Sequence, residues 1–80
     1  MMMLNELQIN HSAIVKKVGA KSNIKKRLLD IGLVKGTKII PILISPGKDM
    51  VAYFIKGAVI AIRKDDTEDI IVEEIKWKLV

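Results

Sequence analysis

Residues 38–63 read Lys38-Ile39-Ile40-Pro41-Ile42-Leu43-Ile44-Ser45-Pro46-Gly47-Lys48-Asp49-Met50-Val51-Ala52-Tyr53-Phe54-Ile55-Lys56-Gly57-Ala58-Val59-Ile60-Ala61-Ile62-Arg63. Three apolar, β-branched runs are divided by two turn signals, which is the pattern of an antiparallel meander. Ser45 to Asp49 carries Pro and Gly and reads as a hairpin loop. Lys56-Gly57 reads as a two-residue hairpin turn in which Gly57 supplies the positive φ, with Lys56 a poorer fit than Asn or Asp. The strands are therefore expected at Lys38–Ile44, Met50–Ile55 and Ala58–Arg63. Pro41 has no amide hydrogen to give to a ladder, so the first of them belongs at an edge or carries a bulge. Both of its faces are apolar, with Ile39, Pro41 and Leu43 on one and Ile40, Ile42 and Ile44 on the other. Tyr53 and Phe54 are neighbours in a strand and must point to opposite sides; Phe54 is assigned to the core.

Outward from this meander, Ala13–Val18 and Ile70–Ile75 are two further β-branched runs. Ile24, Leu28 and Ile31 recur at the spacing of one helical face, Ser22 is a candidate N-cap, and Gly32 suits the left-handed residue that ends a helix. A helix over residues 23–31 follows. Gly19 to Lys21 is a connection, Leu4 to Ser12 a lead-in, and Lys64 to Asp69 an acidic turn. Five short strands with tight turns and one helix predict a mainly β, small five-stranded barrel formed by residues 1–80 as a single domain. Closure would remove the exposed edges that make so β-branched a chain prone to aggregation.

Composition excludes much. The chain has 80 residues, no Cys and one His, His11, so disulfide scaffolds, thiol nucleophiles, cysteine zinc sites and multi-histidine centres are ruled out or unlikely on count. Asn5 and Glu6 interrupt the apolar start, and Pro41 breaks the longest apolar run, so neither a secretory segment nor a membrane span is expected and the protein is assigned to the cytoplasm. The net charge of +5 is uneven: residues 1–64 carry +9 and residues 65–74 carry −6. Eight bases and one acid lie between Lys16 and Lys38, which makes a small-barrel nucleic-acid-binding module using this 16–38 face the alternative reading. Against it, Lys outnumbers Arg twelve to two, and only Tyr53 and Phe54 offer a stacking platform, so no nucleic acid is expected as partner.

Iron and copper chemistry have weak candidates. Asp65, Asp66, Glu68 and Asp69 are hard oxygen donors within one turn, and His11 is an imidazole ligand, but a solvated turn and a surface histidine account for them. Met1 to Met3 form a thioether triplet of the kind that suits Cu(I), and are read instead as a frayed chain start. No serine stands in a nucleophilic arrangement and no phosphate loop is present; the expectation is no metal, no cofactor and no enzyme.

The run Lys26-Arg27-Leu28-Leu29-Asp30-Ile31-Gly32-Leu33, followed by Gly36-Thr37, resembles the "RLxxLGLxxGT" signature of FeoA proteins, small cytosolic components of bacterial ferrous iron uptake. Pro46-Gly47-Lys48-Asp49 is similar to the family's Pro-Leu-Gly-Asp-Pro loop, Gly57 with Ile60-Ala61-Ile62-Arg63 to its "G…(I/L)ALR", and Ile70 and Val72 to its closing "I.V". Lys35 stands where the family often has Pro, Met50 closes the loop in place of Pro, and Thr67 replaces the usual Ala. The resemblance implies an SH3-like barrel, a non-enzymatic accessory role, and as partner the cytosolic GTPase domain of the ferrous iron permease FeoB, which brings the protein to the membrane only indirectly. Helix residues Lys25, Lys26 and Leu29 and loop residues Leu33, Val34 and Lys35 are the candidate contact surface, because apolar groups there lie beside excess positive charge. The alternative reading of Leu29 and Leu33 is that they cover the open end of the barrel. A weak homo-oligomer through the Lys38–Ile44 strand is a further expectation, since Ile39 and Leu43 would otherwise meet water.

Overall fold

The computed structural model describes residues 1–19 and 22–75, with backbone alone for 22–24. Its strands are β1 (Met2–Met3), β2 (Ala13–Val18), β3 (Lys38–Ile44), β4 (Met50–Ile55), β5 (Ala58–Arg63) and β6 (Ile70–Glu74), and its helix is α1 (Ser22–Asp30). All neighbouring strands are antiparallel in the order β1-β6-β2-β3-β4-β5. The fold is mainly β with one short helix, as expected, but the barrel has six described strands rather than five and no ladder joins β1 to β5. The extra strand comes from the chain start read as frayed. Met2 pairs with Val72 and Met3 with Ile71, the Glu6 carboxylate accepts the Met3 amide at 2.9 Å, and Leu4 beside them is fully buried.

Alternation fills the interior. Ala13 and Val15, Ile39 and Pro41, Val51, Tyr53 and Ile55, Ile62, and Ile70 and Val72 face inward, and Leu4, Leu7, Leu28 and Leu33 close the core from outside the strands. Tyr53 is 1% exposed and Phe54 41%, the reverse of the expected assignment. Period-two spacing forces the two rings apart but does not say which goes in, since both faces of the strand are apolar.

Pro41 does mark a bulge. The β3–β4 register shifts between Pro41 and Leu43, so Ile39 and Pro41 point inward while Leu43, expected on their face, points out to solvent. Pro41 sits where β3 has already left β2, whose ladder covers only Ala13↔Ile39 and Ile14↔Lys38, and its missing donor therefore disrupts nothing on that side. The Pro41 carbonyl instead accepts the Asn10 amide at 2.7 Å. Of the two residues behind the homo-oligomer expectation, Ile39 is inside and Leu43 is 65% exposed.

The β4–β5 turn has φ of 49° at Lys56 and 84° at Gly57, the left-handed pair of a type I′ hairpin. The helix runs from Ser22 to Asp30, one residue earlier at each end than expected; the side chains of Ser22 and Ile24, and Ala20 and Lys21 of the preceding connection, lie outside what is described. Among the described residues no helix is long and apolar enough to cross a membrane.

Candidate functional site

The loop after α1 is built by its signature residues. The Leu33 amide donates to the Leu28 carbonyl at 2.9 Å and the Gly32 amide to the Leu29 carbonyl at 3.0 Å, the paired bonds of a Schellman cap. Gly32 holds φ of 94°, which only glycine adopts cheaply, and Leu33 packs against the same core as Leu28. Thr37 is buried and donates its Oγ1 hydrogen to the Gly32 carbonyl at 3.1 Å, while the same Oγ1 accepts the Val34 amide at 3.3 Å. Two backbone bonds then fasten the loop to β2, Val15 N–H to the Thr37 carbonyl at 2.9 Å and Gly36 N–H to the Val15 carbonyl at 2.7 Å. The result is a rigid shelf with few free backbone groups.

On this shelf the six candidate contact residues separate. Lys25, Lys26 and Lys35 are exposed, Leu29 is 42% exposed, and Val34 is half-buried. Leu33 is 0% exposed and belongs to the core, so it shapes the surface without contributing to it. Lys25 borders, with Asp66 and Asp69, a crevice of about 10 Å³, roughly the size of one water, and so faces the acidic turn. Lys56 joins the patch from the far side: a Cβ placed on Gly32 would meet its Cδ at 3.1 Å, so the lysine stem lies across the end of the helix. Sequence reasoning missed Lys56, since nothing local connects the β4–β5 turn to residue 32.

The weak metal candidates are dispersed. Lys64–Thr67 is a 3-10 turn pinned by Thr67, whose buried Oγ1 donates to the Lys64 carbonyl at 2.6 Å; Asp65 and Glu68 are exposed and Asp66 and Asp69 half-buried. His11 is elsewhere, with Nδ1 2.7 Å from Glu74 Oε2. Among the described residues no three His, Asp or Glu side chains converge on one point. Of the basic face, Lys16 is paired with Glu73 at 3.0 Å, and Phe54, the outward aromatic, sits among Ile40 and Val59 on the β3–β5 sheet.

A family model described as the FeoA domain matches residues 2–74. A curated relative from Porphyromonas gingivalis (strain ATCC BAA-308 / W83), a Fe(2+) transport protein A/Fe(2+) transporter FeoB fusion protein, is 32% identical over 72 residues, which cover 90% of this chain and only 8% of that protein. The solution structure of the FeoA protein from Chlorobium tepidum superimposes with a TM-score of 0.86 at 31% identity, covering 92% of this chain and 70% of that one. The zinc-complexed FeoA from Stenotrophomonas maltophilia, described as a prokaryotic SH3 domain protein, gives a TM-score of 0.77 at 26% identity over 91% of both chains. The helix-cap signature, the SH3-like sheet and a family match spanning nearly the whole chain agree: this protein belongs to the FeoA domain family.

Proposed function

We propose that the chain is a non-enzymatic accessory protein of ferrous iron uptake that acts by binding the cytosolic GTPase domain of the FeoB permease. The observation that carries this reading is the relative in which a FeoA-type segment and a FeoB transporter share one polypeptide. Tethering raises the effective concentration of one module at another to the millimolar range, so two modules built to touch can do so through a small surface. The exposed Leu29, with Lys26 one turn before it on α1 and the exposed Lys35 in the loop that follows, offers such a surface: cations steer the encounter and one apolar group anchors it. The description of the Stenotrophomonas maltophilia protein as a candidate ferrous iron transport activating factor supports an accessory rather than a transporting role.

The test is titration calorimetry of this chain against the isolated cytosolic domain of the FeoB encoded by the same genome. Leu29→Ala combined with Lys26→Glu should weaken binding about tenfold or more, as loss of an anchor and reversal of a steering charge would, while the circular dichroism spectrum stays unchanged. Unaltered affinity rules out this surface. Binding of a duplex oligonucleotide at moderate salt, with none of FeoB, would replace this reading by nucleic-acid recognition.

A further inference from the structure

A cleft on another side of the barrel lies between the chain start and the β3–β4 hairpin. It has room of about 90 Å³, with Leu7, Ile9, Ile44 and Val51 as its aliphatic lining and Asn5 and Tyr53 beside them. Four aliphatic side chains in the lining suit an alkyl group. The bulge in β3 builds one wall, because the register shift brings Ile44 opposite the buried Val51.

Two cations stand at its rim, Lys48 and Lys64. Their backbones are fixed. Lys48 holds φ of 61° in the hairpin loop with its amide on the Ser45 carbonyl at 2.9 Å, and the Lys64 amide donates to the Asp49 carbonyl at 2.8 Å. Among the described residues neither lysine has a carboxylate within ion-pair distance. An apolar floor beneath two unneutralised cations is complementary to an apolar side chain flanked by carboxylates. A bare phosphate would leave the floor unused, and a lipid surface needs a broad apolar area rather than a notch that admits one side chain.

We propose that this cleft docks an acidic peptide segment of a protein partner, with one aliphatic anchor residue in the notch and flanking carboxylates on Lys48 and Lys64. The inference does not rest on the FeoB reading and uses a surface distinct from the α1 shelf.

The experiment is a ¹H–¹⁵N chemical-shift titration of the whole chain with the probe peptide acetyl-Ser-Glu-Leu-Glu-Ser-amide. Shifts are expected at the amides of Leu7, Ile9, Val51 and Lys64, with saturation on the order of millimolar, as for a ligand this small. The peptide with Gln for both Glu residues should bind about fivefold or more weakly, and the peptide with Ala for Leu should not move Val51. Lys48→Glu with Lys64→Glu, both at exposed positions, should abolish the preference for Glu over Gln. Equal binding of the Glu and Gln peptides, shifts centred on α1, or no shifts would each overturn the proposal.

Discussion

Tyr53 is the single tyrosine of the chain, and it is buried in the middle of β4 with its hydroxyl beside that of Thr67. Burial pushes the phenol from its ordinary 10.0 up to about 12, and the hydrogen bond with Thr67 pulls the other way without cancelling the rise. A raised acid pKa in the folded state means that folding favours the protonated ring. That stability is fully present below pH 10, where both states hold the proton, and drains away between about 10 and about 12. On the usual conversion the full loss is about 3 kcal/mol, and about half of it is gone at pH 11. Tyr53→Phe removes the titration and also the hydroxyl, whose hydrogen bond is worth about 1 kcal/mol. Wild type should therefore be more stable than Tyr53→Phe by about 1 kcal/mol at pH 8, and that margin should shrink by about 1 kcal/mol at pH 11. Urea unfolding of both proteins at both pH values measures it. The tyrosinate absorption band of the folded protein gives an independent reading, with its midpoint near 12 rather than 10. A native midpoint near 10, or a stability difference that does not move with pH, would refute the burial argument.

Leu33→Ala should cost about 2–5 kcal/mol in urea unfolding, because it empties a fully enclosed site and removes the apolar partner of the helix cap; a loss of FeoB binding at unchanged stability would mean instead that Leu33 is a contact residue. Lys56→Asn, at φ 49°, should raise stability by about 0.5 kcal/mol, since Asn tolerates the left-handed region better than Lys. A drop in thermal midpoint there would show that the lysine stem over Gly32 outweighs the turn.

Most strands were legible because their signals are local. β2 through β5 begin and end where β-branched runs meet Gly, Pro or charge, and the Lys56-Gly57 pair announced its hairpin. What escaped depends on long-range partners. Met2–Met3 becomes a strand only because β6 offers it an edge. The inward choice of Tyr53 over Phe54 and the outward turn of Leu43 hang on the β3 bulge, whose existence Pro41 signals but whose effect on facing it does not. The helix end was readable down to Gly32, and Lys25, Lys26, Leu29 and Lys35 are on the surface, whereas the burial of Leu33 needed the cap geometry. The rim lysines 48 and 64 come together across 16 positions of chain, and no short-range pattern marks such a meeting.

The β2 strand has one partner near in sequence and one far. The β3-β4-β5 meander is closed by short hairpins, so it needs nothing beyond residue 63. The longer ladder of β2, from Ala13 to Val18, is with β6, more than fifty residues downstream. Loop-closure entropy therefore favours the meander over the β2–β6 ladder, which must bring together residues more than fifty positions apart. Because β1 pairs with β6, the seating of Met2 and Met3 shares that long-range cost.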